Sequence, residues 1–174
     1  MSRAIRTLAR LWSLAGLVPV LALGSVLSAA AVARDYRAGT IMISDPWARA
    51  TTSKNGAAYL TLRNVGQTAD RLVSLHSPLC ARVELHSQRV ENGVVRMQRL
   101  GAVTIGPSAG LVLKPGATHA MLLGLQRQLR PGDEFPLTLV FDKAGRIEVT
   151  VRIEAPGATP GAADPNTRQH DDHG

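Results

Sequence analysis

The sequence is short of cysteine, of aromatic residues and of helical periodicity. It holds one cysteine, Cys80, in 174 residues. A lone thiol closes no internal disulfide, so the fold must rest on its apolar core. Phe, Trp and Tyr together make up 3% of the chain. The basic residues are scattered and rarely alternate with aromatics, whereas a nucleic-acid reader concentrates its charge in a patch; that function class is set aside. No sustained helical period follows the first 33 residues, which argues against a bundle or an α/β fold.

What is present begins with an export signature. Arg3, Arg6 and Arg10 form a positive segment, and Leu11 to Leu27 is apolar but broken by Gly16, Pro19 and Gly24. Ala31-Val32-Ala33 then supplies an A-x-A cleavage site ahead of Arg34. The apolar run is nearly long enough to span a bilayer, so an uncleaved membrane anchor is the alternative. The helix breakers and the cleavage site favour a removed signal peptide, 1–33, with no stable membrane insertion afterwards. The style is bacterial, which places the remainder in the periplasm. Losing that segment leaves 17 Lys and Arg against 13 Asp and Glu, a net charge of +4.

From residue 40 to 154 short apolar-polar alternations dominate, as in half-buried strands. Strands are expected at Thr40–Ser44, Trp47–Ala50, Ala57–Asn64, Arg71–His76, Arg82–Arg89, Val94–Leu100, Gly110–Leu113, His119–Leu123, Pro136–Phe141 and Arg146–Ile153. Asn92-Gly93, Pro115-Gly116, Pro131-Gly132 and Ala144-Gly145 separate several of them as turns. Many short, evenly spaced strands predict an antiparallel sandwich or barrel over residues 34–155. The last segment, 156–174, is rich in Pro, Gly, Ala and Asp and reads as a disordered tail.

The methionines and histidines are few, and four of them form a spaced set. His86 is followed by ten residues and Met97, then by twenty-one residues, His119, one residue and Met121. His119 and Met121 are two apart on one strand and share a face, with Ala120 and Leu122 on the other. In the strand Arg82–Arg89, Val83 and Leu85 face the core and His86 faces away. A type I′ turn at Asn92-Gly93 would pair Glu91 with Val94, Gln88 with Met97, and His86 with Arg99. His86 and Met97 then become diagonal neighbours, roughly 7–8 Å apart at Cβ. Two imidazoles and two thioethers make a soft, neutral donor set. Thioether sulfur selects Cu(I), while hard ions want oxygen and zinc seldom takes Met. Taken singly, each residue reads better without a metal, Met97 as core filler and His86 as a solvent-facing polar residue; jointly the case for a site improves, because two strand arguments each bring a His and a Met together on one face.

At these residues the sequence resembles the periplasmic copper chaperones called PCuAC, which carry His-x10-Met-x21-His-x-Met. His86, Met97, His119 and Met121 fill that motif without gap. The phrases Asp45-Pro46-Trp47-Ala48-Arg49-Ala50, Ala57-Ala58-Tyr59-Leu60-Thr61-Leu62, Arg82-Val83-Glu84-Leu85-His86 and Leu113-Lys114-Pro115-Gly116 are similar as well. The resemblance implies an all-β, cupredoxin-like Greek-key sandwich that binds Cu(I) through those four side chains. It also implies delivery to the CuA centre of cytochrome c oxidase subunit II or another copper acceptor, alongside a Sco-type thioredoxin-like protein. Some members place a Met directly after the first His; this chain has Ser87.

Two further groups draw attention. His76 and Cys80 lie close in sequence, but no orienting acid accompanies them, and Cys80 reads as a small, partly buried residue rather than a nucleophile or a blue-copper ligand. His170 and His173, beside Asp171 and Asp172, form a candidate secondary site for Cu(II) or zinc, or else a solvated acidic end. Two other function classes stand beside the copper carrier: a metal-free binding or adhesion module, and a copper oxidase or reductase. The second lacks an acid-base pair near the motif.

Overall fold

The computed structural model describes residues 35–158, and within them every regular element is a strand. The eleven strands are β1 (Tyr36–Ala38), β2 (Ile41–Arg49), β3 (Asn55–Asn64), β4 (Asp70–His76), β5 (Cys80–Glu91), β6 (Val94–Arg99), β7 (Val103–Ile105), β8 (Gly110–Leu113), β9 (His119–Leu125), β10 (Glu134–Phe141) and β11 (Arg146–Glu154). The expected signal peptide and the histidine-bearing end lie outside the described residues.

Alternation explains the layers. On β10, Phe135, Leu137, Leu139 and Phe141 are buried, and on β11, Val149, Val151 and Ile153. Ile41 and Ile43 on β2 and Leu60 and Leu62 on β3 join them in one core. Neighbouring strands run in the order β2-β11-β10-β4-β5-β9-β3, and β3 returns to β2, so the sheet closes on itself. Closure removes the exposed edges of an open sheet. Chain neighbours such as β3 and β4 are not sheet neighbours, which gives the crossing connections of a Greek key.

The fold class is the expected all-β sandwich, with three differences in detail. The two short strands expected at Thr40–Ser44 and Trp47–Ala50 are one strand, β2. A register shift separates Ser44 from Trp47, where Asp45 takes a φ of 50°. A bulge of this kind bends a strand without ending it. β2 and β11 pair in parallel, with Arg152 opposite Trp47, so the sandwich is not wholly antiparallel. The three-residue strands β1 and β7 were not expected. Pairing alone defines them, since β1 lies on β2 and β7 on β4.

Two buried polar side chains fasten loops to this frame. Asn64 is fully buried and fully satisfied. Its Oδ1 accepts from Thr40 Oγ1 and Gly66 N at 3.0 Å, and its Nδ2 donates to Thr68 O at 2.8 Å and Ile105 O at 3.2 Å. The last of these bonds anchors β7. Asp70 is 3% exposed, and its carboxylate accepts from the backbone amides of Arg71 (2.7 Å), Lys143 (2.9 Å) and Ala144 (2.8 Å). Asp70 therefore ties the β10–β11 turn to β4. Burial pushes its carboxyl up, but the amides of Lys143, Ala144 and Arg71, with the Lys143 charge, outweigh burial and hold it below the usual carboxylate range.

Asp70→Ala should cost about 2–4 kcal/mol, because two turn amides lose a charged acceptor. The acid side carries a second signature. A lowered folded-state pKa gives stability that is fully present above the unfolded value of about 3.9 and is lost as pH falls through the folded value. Urea unfolding at pH 7 and at pH 3 should therefore show a smaller difference between wild type and Asp70→Asn at the lower pH. A difference independent of pH would remove this role for the carboxylate.

Candidate functional site

The β5–β6 hairpin sets the geometry. Asn92 and Gly93 both have positive φ, 52° and 77°, as a type I′ turn requires. Glu91 pairs with Val94, Gln88 with Met97 and His86 with Arg99, the register expected from the sequence. On its other edge β5 pairs with β9, placing Glu84 opposite Met121, Leu85 opposite Ala120 and His86 opposite His119. Leu85, Ala120 and Leu122 are buried in the core. Period-two alternation then puts Glu84, His86, Gln88, Met97, Arg99, His119 and Met121 on the opposite face.

All four motif residues therefore share one face across three adjacent strands. The His86 and His119 rings lie with centroids 6.1 Å apart and planes inclined at 54°. That span suits one ion held by two metal–nitrogen bonds of about 2 Å each. Exposure is graded across the group. His119 is 5% exposed. His86 and Met121 are half-buried, and Met97 at the hairpin edge is 49% exposed.

The hydrogen bonds fix which nitrogen each ring offers. His119 Nδ1 lies 3.0 Å from Ala117 O. A carbonyl only accepts, so Nδ1 carries the hydrogen and Nε2 keeps its lone pair. His86 Nε2 lies 2.9 Å from Glu84 Oε2. The hydrogen bond from His86 holds the Glu84 carboxyl below the usual range, with Arg99 and Arg82 adding to the effect against burial. Glu84 is thus ionised and acceptor-only, and His86 donates from Nε2. His86 Nδ1 is buried and has no hydrogen-bond partner. Metal-binding histidines commonly donate their second nitrogen to a carboxylate or a carbonyl, the arrangement both rings show here.

Among the described residues no three His, Cys, Asp or Glu side chains gather as metal ligands. Beside the two imidazoles, the alternation puts the thioethers of Met97 and Met121 on this face, soft donors that suit a soft monovalent ion. Cys80 is remote from the set. It sits six residues along β5 from His86, roughly 20 Å at strand rise, and its sulfur lies 3.4 Å from Arg82 O in the core. Burial pushes its thiol up, against hydrogen bonds from the backbone of Leu123 and Arg82, so it is a poor nucleophile. His76 is exposed and pairs with Ser74 Oγ at 3.0 Å. His170 and His173 lie outside the described residues.

Two features of this face were not anticipated. Glu84 could have been found from its two-residue spacing to His86. Trp47 and Tyr59 stack at 4.4 Å between ring centroids. Tyr59 lies two residues beyond Ala57, which pairs with Met121, so this buried aromatic pair extends the ligand face toward β2.

Comparison with known proteins agrees with the fold. Residues 41–153 match the LpqE-like family model, described as "Putative lipoprotein LpqE-like". Protein RP573 of Rickettsia prowazekii, itself uncharacterized, is 32% identical over 114 residues, covering 62% of this chain and 63% of that protein. The copper-bound PCuAC domain from PmoF2 superposes with a TM-score of 0.61 at 27% identity, over 71% of this chain and 99% of that one. The solution structure of CuI-DR1885 from Deinococcus radiodurans superposes with a TM-score of 0.53 at 26% identity, over 63% of this chain and 74% of that one. The match to the family runs from the first residue of β2 to within one residue of the end of β11, and the chain belongs to the LpqE-like family, with the sandwich of PCuAC domains.

Proposed function

We propose that this chain is an exported copper chaperone that carries Cu(I) on His86, Met97, His119 and Met121 and releases it to a cuproprotein. The observation that carries this reading is the single face on which two oppositely placed imidazoles, each with its second nitrogen already engaged, lie beside two methionines. Copper in the PCuAC domain from PmoF2 and Cu(I) in DR1885 support the choice of metal. The lipoprotein description of the family supports export, and the N-terminal signal sequence directs that export to the periplasm.

The graded exposure suits carriage and release. A buried His119 gives the ion a fixed base on the sheet. An exposed Met97 gives it a donor that an incoming ligand can displace without opening the core. The CuA centre of cytochrome c oxidase subunit II is the proposed acceptor, with a Sco-type protein as proposed co-worker. Under this reading the His170/His173 end is an auxiliary collector that raises the copper concentration near the site.

The test is an anaerobic Cu(I) competition titration against a chromophoric chelator, using the chain from Arg34 onward. One equivalent should bind tightly. Met97→Ala combined with Met121→Ala should weaken it by about 100-fold or more, since changes to outer partners alone cost about 10–100-fold. Unaltered binding in the double variant would reject this ligand set, and no tight binding by the wild type would reject the chaperone role. The hairpin offers a second check. Gly93→Val places a β-branched residue at a φ of 77° with open space around it, so strain alone should act. Stability should fall by about 1–2 kcal/mol, and Cu(I) affinity should fall with it because Met97 depends on this turn for its register. Unchanged affinity at lowered stability would show that Met97 does not need the turn.

A further inference from the structure

We infer that Glu84 is a positioning residue that makes His86 offer Nδ1, rather than Nε2, to the copper ion. The assignment of copper rests on the function proposed above; the choice of nitrogen rests on the apo geometry alone.

The carboxylate is held from three directions. Its Oε1 forms ion pairs with Arg82 Nε at 3.1 Å and Arg99 Nε at 3.7 Å, while Oε2 accepts from His86 Nε2 at 2.9 Å. Each contact follows from the register. Arg82 and His86 flank Glu84 at two-residue spacing on β5, and Arg99 pairs with His86 across the hairpin. The two arginines fix the orientation of the carboxylate, and the Glu84 side chain is only 16% exposed. An imidazole with its hydrogen on Nδ1 would turn the Nε2 lone pair toward an anionic oxygen and lose a charge-assisted bond. The favoured tautomer should therefore exceed the other by more than about tenfold.

The other end of the ring shows what this selection is for. His86 Nδ1 is buried without a partner; among the described residues only Arg49 Nε shares that condition. A buried polar atom left unpaired is costly and points to a ligand outside the polypeptide. His119 is set in the opposite sense by a backbone carbonyl, which no side-chain substitution removes, and it offers Nε2. The two rings thus present different nitrogens. Nδ1 lies closer to its own strand than Nε2 does, so at His86 the ion is drawn down toward the sheet.

Long-range proton–nitrogen correlation spectra of the metal-free chain, at a pH where both rings are neutral, read the tautomers directly. The wild type should show His86 protonated at Nε2 and His119 at Nδ1. Glu84→Ala should give a mixture at His86, leave His119 unchanged and weaken Cu(I) binding by about 10–100-fold. Glu84→Gln keeps an acceptor oxygen and should recover much of the tautomer bias and part of the affinity. Two outcomes would overturn the inference: His86 protonated at Nδ1 in the wild type, or a Glu84→Ala tautomer like the wild type's, whether or not affinity falls. A wild-type chain with the Nε2–H tautomer but no tight Cu(I) binding would instead reject the chaperone reading and leave the selection by Glu84 intact.

Discussion

The candidate site depends on the strict two-residue alternation of β5. This strand is shared by β6 on one edge and β9 on the other, so a single alternation assigns faces on three strands together. A one-residue slip on the β9 edge would carry His119 and Met121 into the core, and one on the β6 edge would turn Met97 to the other face of an exposed strand. The register is secured from both sides. The Asn92-Gly93 turn fixes β6, and buried Leu85, Ala120 and Leu122 fix β9, since an imidazole in their place would leave polar nitrogens in the apolar interior. Core packing and ligand geometry are therefore one constraint, and the closed sheet leaves β5 and β9 no free edge along which to shift.

The same constraint shows why most of the site was legible in the sequence and part of it was not. The hairpin register followed from two turn residues whose φ preference is local, and the shared face of His119 and Met121 followed from spacing alone. Burial is a property of what lies above the face, and spacing carries no information about it, so the sequence did not show that His119 is buried while Met97 is exposed. Glu84 was read only as part of a phrase, because its role needs a particular hydrogen bond and not merely a residue type. In the fold, β1 and β7 are three residues each, too short to show a period, and the parallel pairing of β2 with β11 joins segments about a hundred residues apart. Asp45-Pro46 reads as a break because proline and a positive φ usually end strands, whereas the ladder to β3 resumes beyond them at Trp47 and Tyr59.

Electrostatics and donor softness act together on this face. Four neutral donors leave a bound Cu(I) with its full positive charge, and Arg82 and Arg99 lie nearby, so a cation would meet repulsion if those charges were free. Glu84 engages both arginines with one oxygen and the His86 ring with the other. The carboxylate thereby offsets one of the two positive charges, and on the proposed function the remaining donor set of two imidazoles and two thioethers is one that a harder divalent ion finds poor. Replacing a thioether by a carboxylate would favour such ions, and a thiolate would hold copper more firmly. The one thiol of the chain is instead sealed in the core, roughly 20 Å along β5 from His86. A carrier needs a site that binds tightly enough to exclude water-borne competitors and loosely enough at one ligand to be emptied by a partner. On the proposed function the two requirements fall on different residues: the imidazoles, hydrogen-bonded to Ala117 and Glu84, and Met97, which stands half in solvent on a strand whose every residue is exposed.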